Sequence, residues 1–464
     1  MPQNDEAKRS WCSFATPLIG KAVRSLARIT KHGGSAFPGK IAESIDPGFL
    51  ARTLAQLPHG VVLVSGTNGK TTTTRMVAMM LEDLGFNVFT NPTGSNFTRG
   101  VVSALLQEVN LAGRLDADIA VLELDEAYAV HFVRQVKPRY ALLLNVMRDQ
   151  LDRFGEIDNT ARLLSHVAEA TTGSVVLNRE DPRIARLADV VPAGTEVRYF
   201  GLADDLKRFF PSDDDMTTTV AAHDADAADA GEAEARQADS SRGPESRELP
   251  ADVTLMRVGD HAASFAMDGK TYDTTVKLEG VYNLYNAAAA LAVVRNVEAG
   301  CGGESVDNAR LVQAVSQVTP AFGRGEVIDV NGSPVELLLV KNPMGFRLAL
   351  ASFAPEGCDT MIAINDEYAD GRDMSWLWDV DFTSLRGEGV TMVSGVRAWD
   401  MALRLGYEQV PVARVEPDLE KAVTAFVNAN PGRRKHMYCT YTAMLAVRAA
   451  LGRVASVSDA GVGR

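Results

Sequence analysis

The chain has 464 residues, 46% of them apolar and 23% charged, with a formal charge of −13. That length exceeds what one hydrophobic core organises, so two or three domains are expected, and the acidic balance disfavours a general affinity for nucleic acid. No run approaches the ~20 uninterrupted apolar residues that span a bilayer, and the four cysteines, Cys12, Cys301, Cys358 and Cys439, lie far apart without a CxxC pair, which argues against a disulfide framework or a cysteine-rich zinc site.

The N-terminal MPQNDEAKRS is polar, and the short apolar run from Phe14 to Ile19 lacks a convincing cleavage site, so no signal peptide is read and a cytoplasmic location is expected. Residues 1–50 are too few for a domain of their own and are expected to form a helical extension on the core. From His59 to about Gly201, apolar runs alternate with helical patterns. The predicted strands are Val61–Val64, Asn87–Phe89, Ile119–Leu124, Tyr140–Leu144, Ser174–Leu177 and Val197–Phe200. Thr71–Leu84 reads as a helix, with apolar Met76, Val77, Met80, Leu81 and Leu84 and a stop at Gly85. Apolar strands buried on both faces and joined by helices predict an α/β fold, a doubly wound and mostly parallel sheet, in a central domain over 51–322.

Between Pro211 and Asp252 twelve acidic side chains face three arginines. The segment is rich in Ala, Ser and Asp and cannot bury enough surface to offset its ordering entropy, so a disordered, solvated insertion is expected. Strand-like residues resume near Val253, and a helix follows Gly280 through Ala287–Ala292. A second, smaller Rossmann-like α/β domain is predicted over 323–452, beginning near Glu326. Its strands are Val335–Val340, Thr360–Ile364 and Gly389–Val393, and its helices Arg397–Leu405, Leu419–Asn428 and Tyr441–Leu451. A flexible tail, 453–464, ends the chain.

The strongest chemical signal is Val61-Val-Leu-Val-Ser-Gly-Thr-Asn-Gly-Lys-Thr-Thr72. An apolar strand runs into a glycine-rich turn and then a lysine and two hydroxyls at a helix start. Backbone N–H groups in such a turn cradle an anion, helped by the helix N-terminus. Gly66 and Gly69 allow close approach of the backbone, with Thr67 and Asn68 between them. Lys70 offers positive charge to the β- and γ-phosphates of ATP, and Thr71 a hydroxyl to Mg²⁺, followed by Thr72. Glu123, at the end of a predicted parallel strand, is the expected second Mg²⁺ ligand, with Glu126 next, because that cation takes hard oxygen ligands and few of them from protein. Asn178 and Asp181 are candidate neighbours of the site.

The spacing resembles the compact G-T-x-G-K-T turn of Mur ligases and folylpolyglutamate synthases. Tyr140-Ala-Leu-Leu-Leu-Asn145 and the following Val-Met-Arg-Asp-Gln-Leu-Asp resemble a Mur-ligase segment, with Gln150 at its histidine position. No lysine lies between Arg139 and Leu206, where many Mur ligases carry a carbamylated one, so the resemblance does not carry over a second metal site and the number of Mg²⁺ ions stays open. Glu279-Gly-Val-Tyr-Asn-Leu-Tyr-Asn286 and Phe322-Gly-Arg-Gly-Glu326 resemble two further motifs, which imply that Asn283 faces the adenine, Asn286 supports the turn and Arg324 reaches the nucleotide.

The last domain, with Lys341-Asn-Pro-Met-Gly-Phe346, Asn365-Asp-Glu-Tyr-Ala-Asp-Gly-Arg-Asp-Met-Ser-Trp-Leu-Trp-Asp379 and Thr440-Tyr-Thr-Ala-Met-Leu445, closely resembles the MurT family, the synthetase subunits of lipid II isoglutaminyl synthases. The resemblance implies ATP-dependent amidation of the D-glutamate α-carboxylate of lipid II through an acyl phosphate, at the inner membrane face, with Lys70 and Glu123 catalytic. It further implies a GatD-type glutaminase partner, whose Cys–His pair an aspartate of this chain, Asp373 or Asp370, would complete. The four-cysteine ribbon of many relatives falls on the cysteine-free acidic insertion, so no zinc is expected. Two other readings are a ligase that adds an amino acid instead of ammonia and a nucleotide-binding scaffold without catalysis.

Overall fold

The computed structural model describes residues 16–21, 37–91, 96–147, 157–209, 249–259, 262–277, 281–302, 307–319 and 324–453. Gln150, most of the acidic segment (210–248) and 454–464 lie outside them, as does the side chain of Arg324.

Two short helices, α1 (Phe37–Ile45) and α2 (Phe49–Leu54), lead into β1 (Val61–Ser65), α3 (Lys70–Asp83), β2 (Val88–Thr90), α4 (Thr98–Glu108), β3 (Ile119–Glu123), α5 (Glu126–Val133), β4 (Tyr140–Leu143), α6 (Ile157–Ala170), β5 (Ser174–Asn178) and β6 (Glu196–Leu202). Beyond the acidic segment come β7 (Val253–Gly259), β8 (Ala262–Met267), β9 (Lys270–Thr275), α7 (Val281–Gly300) and α8 (Asn308–Gln317). The nine strands form one sheet in the order β2-β3-β1-β4-β5-β6-β7-β8-β9. It is parallel from β2 to β7 and closes with the antiparallel β7–β8–β9 meander.

Because successive strand residues point to opposite faces, β1 feeds two cores. Val62 and Val64 pack with Met76, Val77, Met80 and Leu81 of α3 and the alanine-rich α7. Val61 and Leu63 pack on the other face with Phe49, Leu50 and Leu54 of α2, Val101 and Leu105 of α4, and Phe132 of α5. β1 lies between β3 and β4, so its C-terminal end opens where the chain connections diverge to either side. In doubly wound sheets that crevice receives ligands. Each of the six strands predicted for this region is present. Among the described residues no helix is long and apolar enough to cross a membrane.

The second sheet is built from β10 (Arg324–Val330), β11 (Ser333–Leu339), α9 (Pro343–Ser352), β12 (Cys358–Ala363), β13 (Met392–Ser394), α10 (Ala398–Tyr407), β14 (Val415–Glu416), α11 (Leu419–Asn428), β15 (Arg434–Cys439) and α12 (Tyr441–Leu451). Its order is β10-β11-β15-β12-β13-β14, parallel except for the β10–β11 hairpin. Two of the sequence readings need correction here. The strand expected over Gly389–Val393 starts only at Met392, because Gly389 takes φ 75, outside the extended region, and Val390 makes only an isolated bridge to Val412. The central strand β15 was not anticipated at all, because Arg434-Lys-His-Met-Tyr-Cys439 begins with three basic residues.

Those residues are tolerated because acids meet them inside the sheet. Lys435 and Asp359 are both buried, with Nζ donating to Oδ2 at 2.8 Å and to Ala429 O at 2.6 Å. His436 Nε2 stands 2.9 Å from Glu336 Oε2. Removing one member of a buried pair strands the other charge. Asp359→Ala is therefore expected to cost about 3–5 kcal/mol of stability, read by denaturant unfolding, whereas Asp359→Leu with Lys435→Met is expected to recover most of it.

Candidate active site

β1 ends at Ser65 and the chain turns through Gly66-Thr67-Asn68-Gly69 into α3, whose first residue is Lys70. Gly66 (φ 135) and Gly69 (φ 86) occupy backbone regions that a Cβ disfavours. A Cβ on Gly69 would fall 2.5 Å from Asn286 Oδ1, and one on Gly66 would fall 3.0 Å from Asn145 N and O.

Asn145, just past β4, braces the turn as a strand neighbour would. Its carbonyl accepts from Thr67 N at 2.9 Å and its Oδ1 from Asn68 N at 2.8 Å. Its Nδ2 donates to Asn68 O at 3.0 Å and Tyr282 Oη at 3.1 Å. Tyr282 and Asn286 thus bring the first turns of α7 against the loop; Asn283 lies half-buried between them in sequence. Asp181 and Asn178 act one layer back. Asp181 Oδ2 accepts from Val146 N at 2.7 Å, and Asn178 Nδ2 donates to Leu144 O at 2.8 Å, so both hold the segment carrying Asn145.

The charged groups divide into two sets. Lys70 Nζ donates to Gly66 O and, at 3.2 Å, to Glu126 Oε2, both side chains being buried. Burial pushes the Glu126 carboxyl up, but Lys70 and a hydrogen bond from Asp125 outweigh it and hold the group at about 2. Asp125 is pushed up to about 6 by burial and by the charge of Glu126, against the pull of Lys70. In the second set, Thr71 Oγ1 donates to Glu123 Oε1 at 3.0 Å. The tip of β3 is fixed by Asn91, whose Oδ1 accepts from Glu123 N at 2.9 Å and whose Nδ2 donates to Glu123 O at 3.0 Å.

This arrangement fits a nucleotide phosphate and a divalent cation. The buried Thr72 Oγ1 has no hydrogen-bond partner in the described structure, a polar atom at a helix N-terminus that an anion would satisfy. Thr71 and Glu123 offer two hard oxygens side by side, a number suited to Mg²⁺, which usually takes one or two protein ligands and fills the rest with phosphate and water. No cluster of three or more His, Cys, Asp or Glu occurs among the described residues. Glu126, the second choice for the metal in the sequence reading, faces Lys70 instead.

The second domain reaches this site through the segment between β11 and α9. Asn342 Nδ2 donates to Asn68 Oδ1 at 2.9 Å, and Asn68 Nδ2 to Asn342 Oδ1 at 3.3 Å. Lys341 Nζ donates to Thr67 O at 3.2 Å. Asn342 also caps α9, accepting from Gly345 N at 2.7 Å. Sequence reasoning quoted this segment without giving it a role, and it did not name α9. The Asn342-Pro343 pair, a cap followed by the ring favoured at the first helical position, was the available signal.

The two candidate aspartates of the second domain differ sharply. Asp370 is buried, with Oδ1 accepting from Thr442 N at 2.8 Å and Oδ2 from Thr442 Oγ1 at 2.5 Å and Glu367 N at 3.1 Å. Both its oxygens hold the loop to the start of α12. Asp373 is exposed, and its Oδ1 accepts from Ser375 N at 2.9 Å.

A phosphate-type turn, a hydroxyl–carboxylate pair beside it and a second α/β domain closing on the same loop define an ATP-dependent ligase of the Mur type. The comparisons agree. The Mur ligase middle domain model matches residues 64–294, and the MurT ligase C-terminal model matches 339–444. The lipid II isoglutaminyl synthase (glutamine-hydrolyzing) subunit MurT of Streptococcus pneumoniae is 29% identical, over 89% of this chain and 92% of that protein. Its counterpart from Staphylococcus aureus is also 29% identical, with the same coverage. Among solved structures, MurF from Acinetobacter baumannii matches with a TM-score of 0.64 at 16% identity, covering 89% of this chain and 80% of that one. MurF from Thermotoga maritima in complex with ADP matches at 0.61 and 17%, covering 88% and 82%. The chain belongs to the MurT family of Mur-type ligases, and its chemistry is that of a ligase of peptidoglycan synthesis.

Proposed function

We propose that this chain is the synthetase subunit of a lipid II isoglutaminyl synthase. A carboxylate is a poor electrophile, and phosphorylation turns one of its oxygens into a leaving group. The γ-phosphoryl of ATP passes to the α-carboxylate of D-glutamate in the stem peptide, giving an acyl phosphate and ADP. Ammonia then attacks the acyl carbon, phosphate departs, and D-isoglutamine remains. The observation that carries this reading is the meeting of a phosphate turn with the MurT-type segment Lys341-Asn342 in one site.

In this reading Lys70 exchanges Gly66 O for the phosphate oxygens, while Glu126, ionised throughout the neutral range, keeps the ammonium aimed. Thr71 and Glu123 would hold Mg²⁺, which neutralises phosphate charge when bound. Arg324, at the start of β10, would reach the nucleotide, and Asn283 the adenine. Ammonia is scarce at neutral pH, so a GatD-type glutaminase supplies it. Asp373, exposed on the second domain, suits completion of that partner's Cys–His pair better than the buried Asp370. Through its substrate the complex would work at the inner membrane face.

The test is amidation by the purified complex. With ATP, Mg²⁺ and lipid II, glutamine or ammonium is expected to convert one stem-peptide carboxylate to an amide, read by mass spectrometry with ADP release. Uptake of an amino acid in place of ammonia would instead favour a ligase of the ordinary Mur kind.

A further inference from the structure

The segment that carries Asp373 cannot hold itself in place. Asp373 Oδ1 accepts from Ser375 N at 2.9 Å and so opens the five-residue helix Ser375–Asp379. A single tight turn gains little from its own hydrogen bonds, and an exposed connection takes its precision from the scaffold around it. Here the scaffold is a pair of arginines from two helices. Arg404 of α10 is buried, its Nε donating to Leu377 O at 3.2 Å and its Nη2 to Val380 O at 2.7 Å. Arg347 of α9 donates to Asp379 O. Arg404 is itself aimed. Glu408 accepts from its Nη2 at 2.7 Å and is held in turn by Arg386, whose Nε donates to Glu408 O at 2.7 Å. The rings of Trp378 and Phe382 lie 5.3 and 5.4 Å from its guanidinium carbon. Between those rings the guanidinium is out of water, where its bonds to carbonyls are strengthened.

We infer that Arg404 is a positioning residue for the use of glutamine, setting through the turn Ser375–Asp379 where Asp373 stands against the partner's Cys–His pair. This inference rests on the reading above that Asp373 completes that pair. A carboxylate that orients a histidine acts by position, and a displacement of about 1 Å can cost on the order of 10²-fold in rate. Asp373 is bonded to the first residue of the turn that Arg404 clamps at its far end, so slackening the turn moves the carboxylate. The second domain reaches the phosphate turn through a different segment, Lys341 and Asn342. Synthesis from free ammonium therefore does not depend on the clamp. Arg347 belongs to α9, which Asn342 caps, so Arg404 is the cleaner residue to change.

The experiment uses the full chain with its glutaminase partner in excess, lipid II, ATP and Mg²⁺, and either glutamine or ammonium. It compares Arg404→Met, Arg404→Lys and Asp373→Asn with wild type. Arg404→Met is expected to lower the glutamine-dependent kcat about 10²-fold, with KM for glutamine near wild type because glutamine binds the partner. The ammonium-dependent kcat stays within about threefold. Arg404→Lys keeps a cation between the rings but lacks the fork that reaches two carbonyls, so a smaller loss of about tenfold is expected with glutamine alone. Should Arg404→Met show no denaturant transition, Arg404→Lys carries the comparison in its place. A glutamine-to-ammonium ratio unchanged from wild type overturns the assignment, whether both rates are kept or both fall together. So does a loss that appears only when the partner is limiting, since Arg404 would then serve docking. If Asp373→Asn keeps full glutamine-dependent turnover, the reading beneath fails and this inference with it.

Discussion

Lys70→Ala is expected to lower ATP-dependent amidation of lipid II by about 10³-fold, the upper range for removing one charge-stabilising group from a preorganised site. The substitution has a second consequence, because it leaves Glu126 buried and ionised without its cation. Stranding one partner of such a pair costs about 3–5 kcal/mol, so a bare loss of activity could reflect loss of fold. Lys70→Ala combined with Glu126→Gln separates the two effects. The amide carries no charge and can still accept from Thr67 Oγ1, so stability is expected to return while turnover stays low. Turnover near wild type in the double variant would mean that Lys70 serves only to neutralise Glu126, and the proposed phosphoryl transfer would lose its principal cation.

Asp373→Asn is expected to reduce glutamine-dependent amidation by on the order of 10³- to 10⁴-fold, the scale seen when the carboxylate of a catalytic triad becomes an amide. Ammonium-dependent amidation should remain at wild-type level. The contrast is informative because the local structure survives the change. Asp373 is exposed and accepts from Ser375 N, a bond that an asparagine oxygen also makes. Asp370→Asn is the comparison. Its amide nitrogen would face N–H and O–H donors at Thr442 and Glu367, an unsatisfied contact worth about 1–3 kcal/mol. That variant should lose stability and depress both nitrogen sources together. Equal loss with glutamine and ammonium in Asp373→Asn would reduce Asp373 to a structural cap. No loss with either would move the partner's carboxylate elsewhere.

Much of the site was legible because its information is local. The run from Val61 to Thr72 specifies a buried strand, two glycines where a Cβ would clash or strain, and a helix beginning at Lys70, all within twelve consecutive positions. Glu123 was legible for a related reason: an apolar run ending in an acid puts a carboxylate at a strand tip, whatever the neighbouring strands turn out to be. The alternation of strands and helices likewise determined a doubly wound sheet, since strands apolar on both faces require cover on both.

Only the tertiary structure decided the rest. Glu126 lies three residues from Glu123, yet one meets Lys70 and the other Thr71, because a strand tip and the helix start after it face different parts of the loop. Asn68 and Asn342 are 274 positions apart and meet only because the second domain seats on the phosphate turn. β15 was invisible for the same reason. Its lysine and histidine look like surface until Asp359 and Glu336, on the strands to either side, supply the buried counter-charges. Local pattern encodes which backbone a segment adopts and which face is apolar. Which distant charge a side chain meets depends on strand order and domain seating, and no short stretch of sequence carries that.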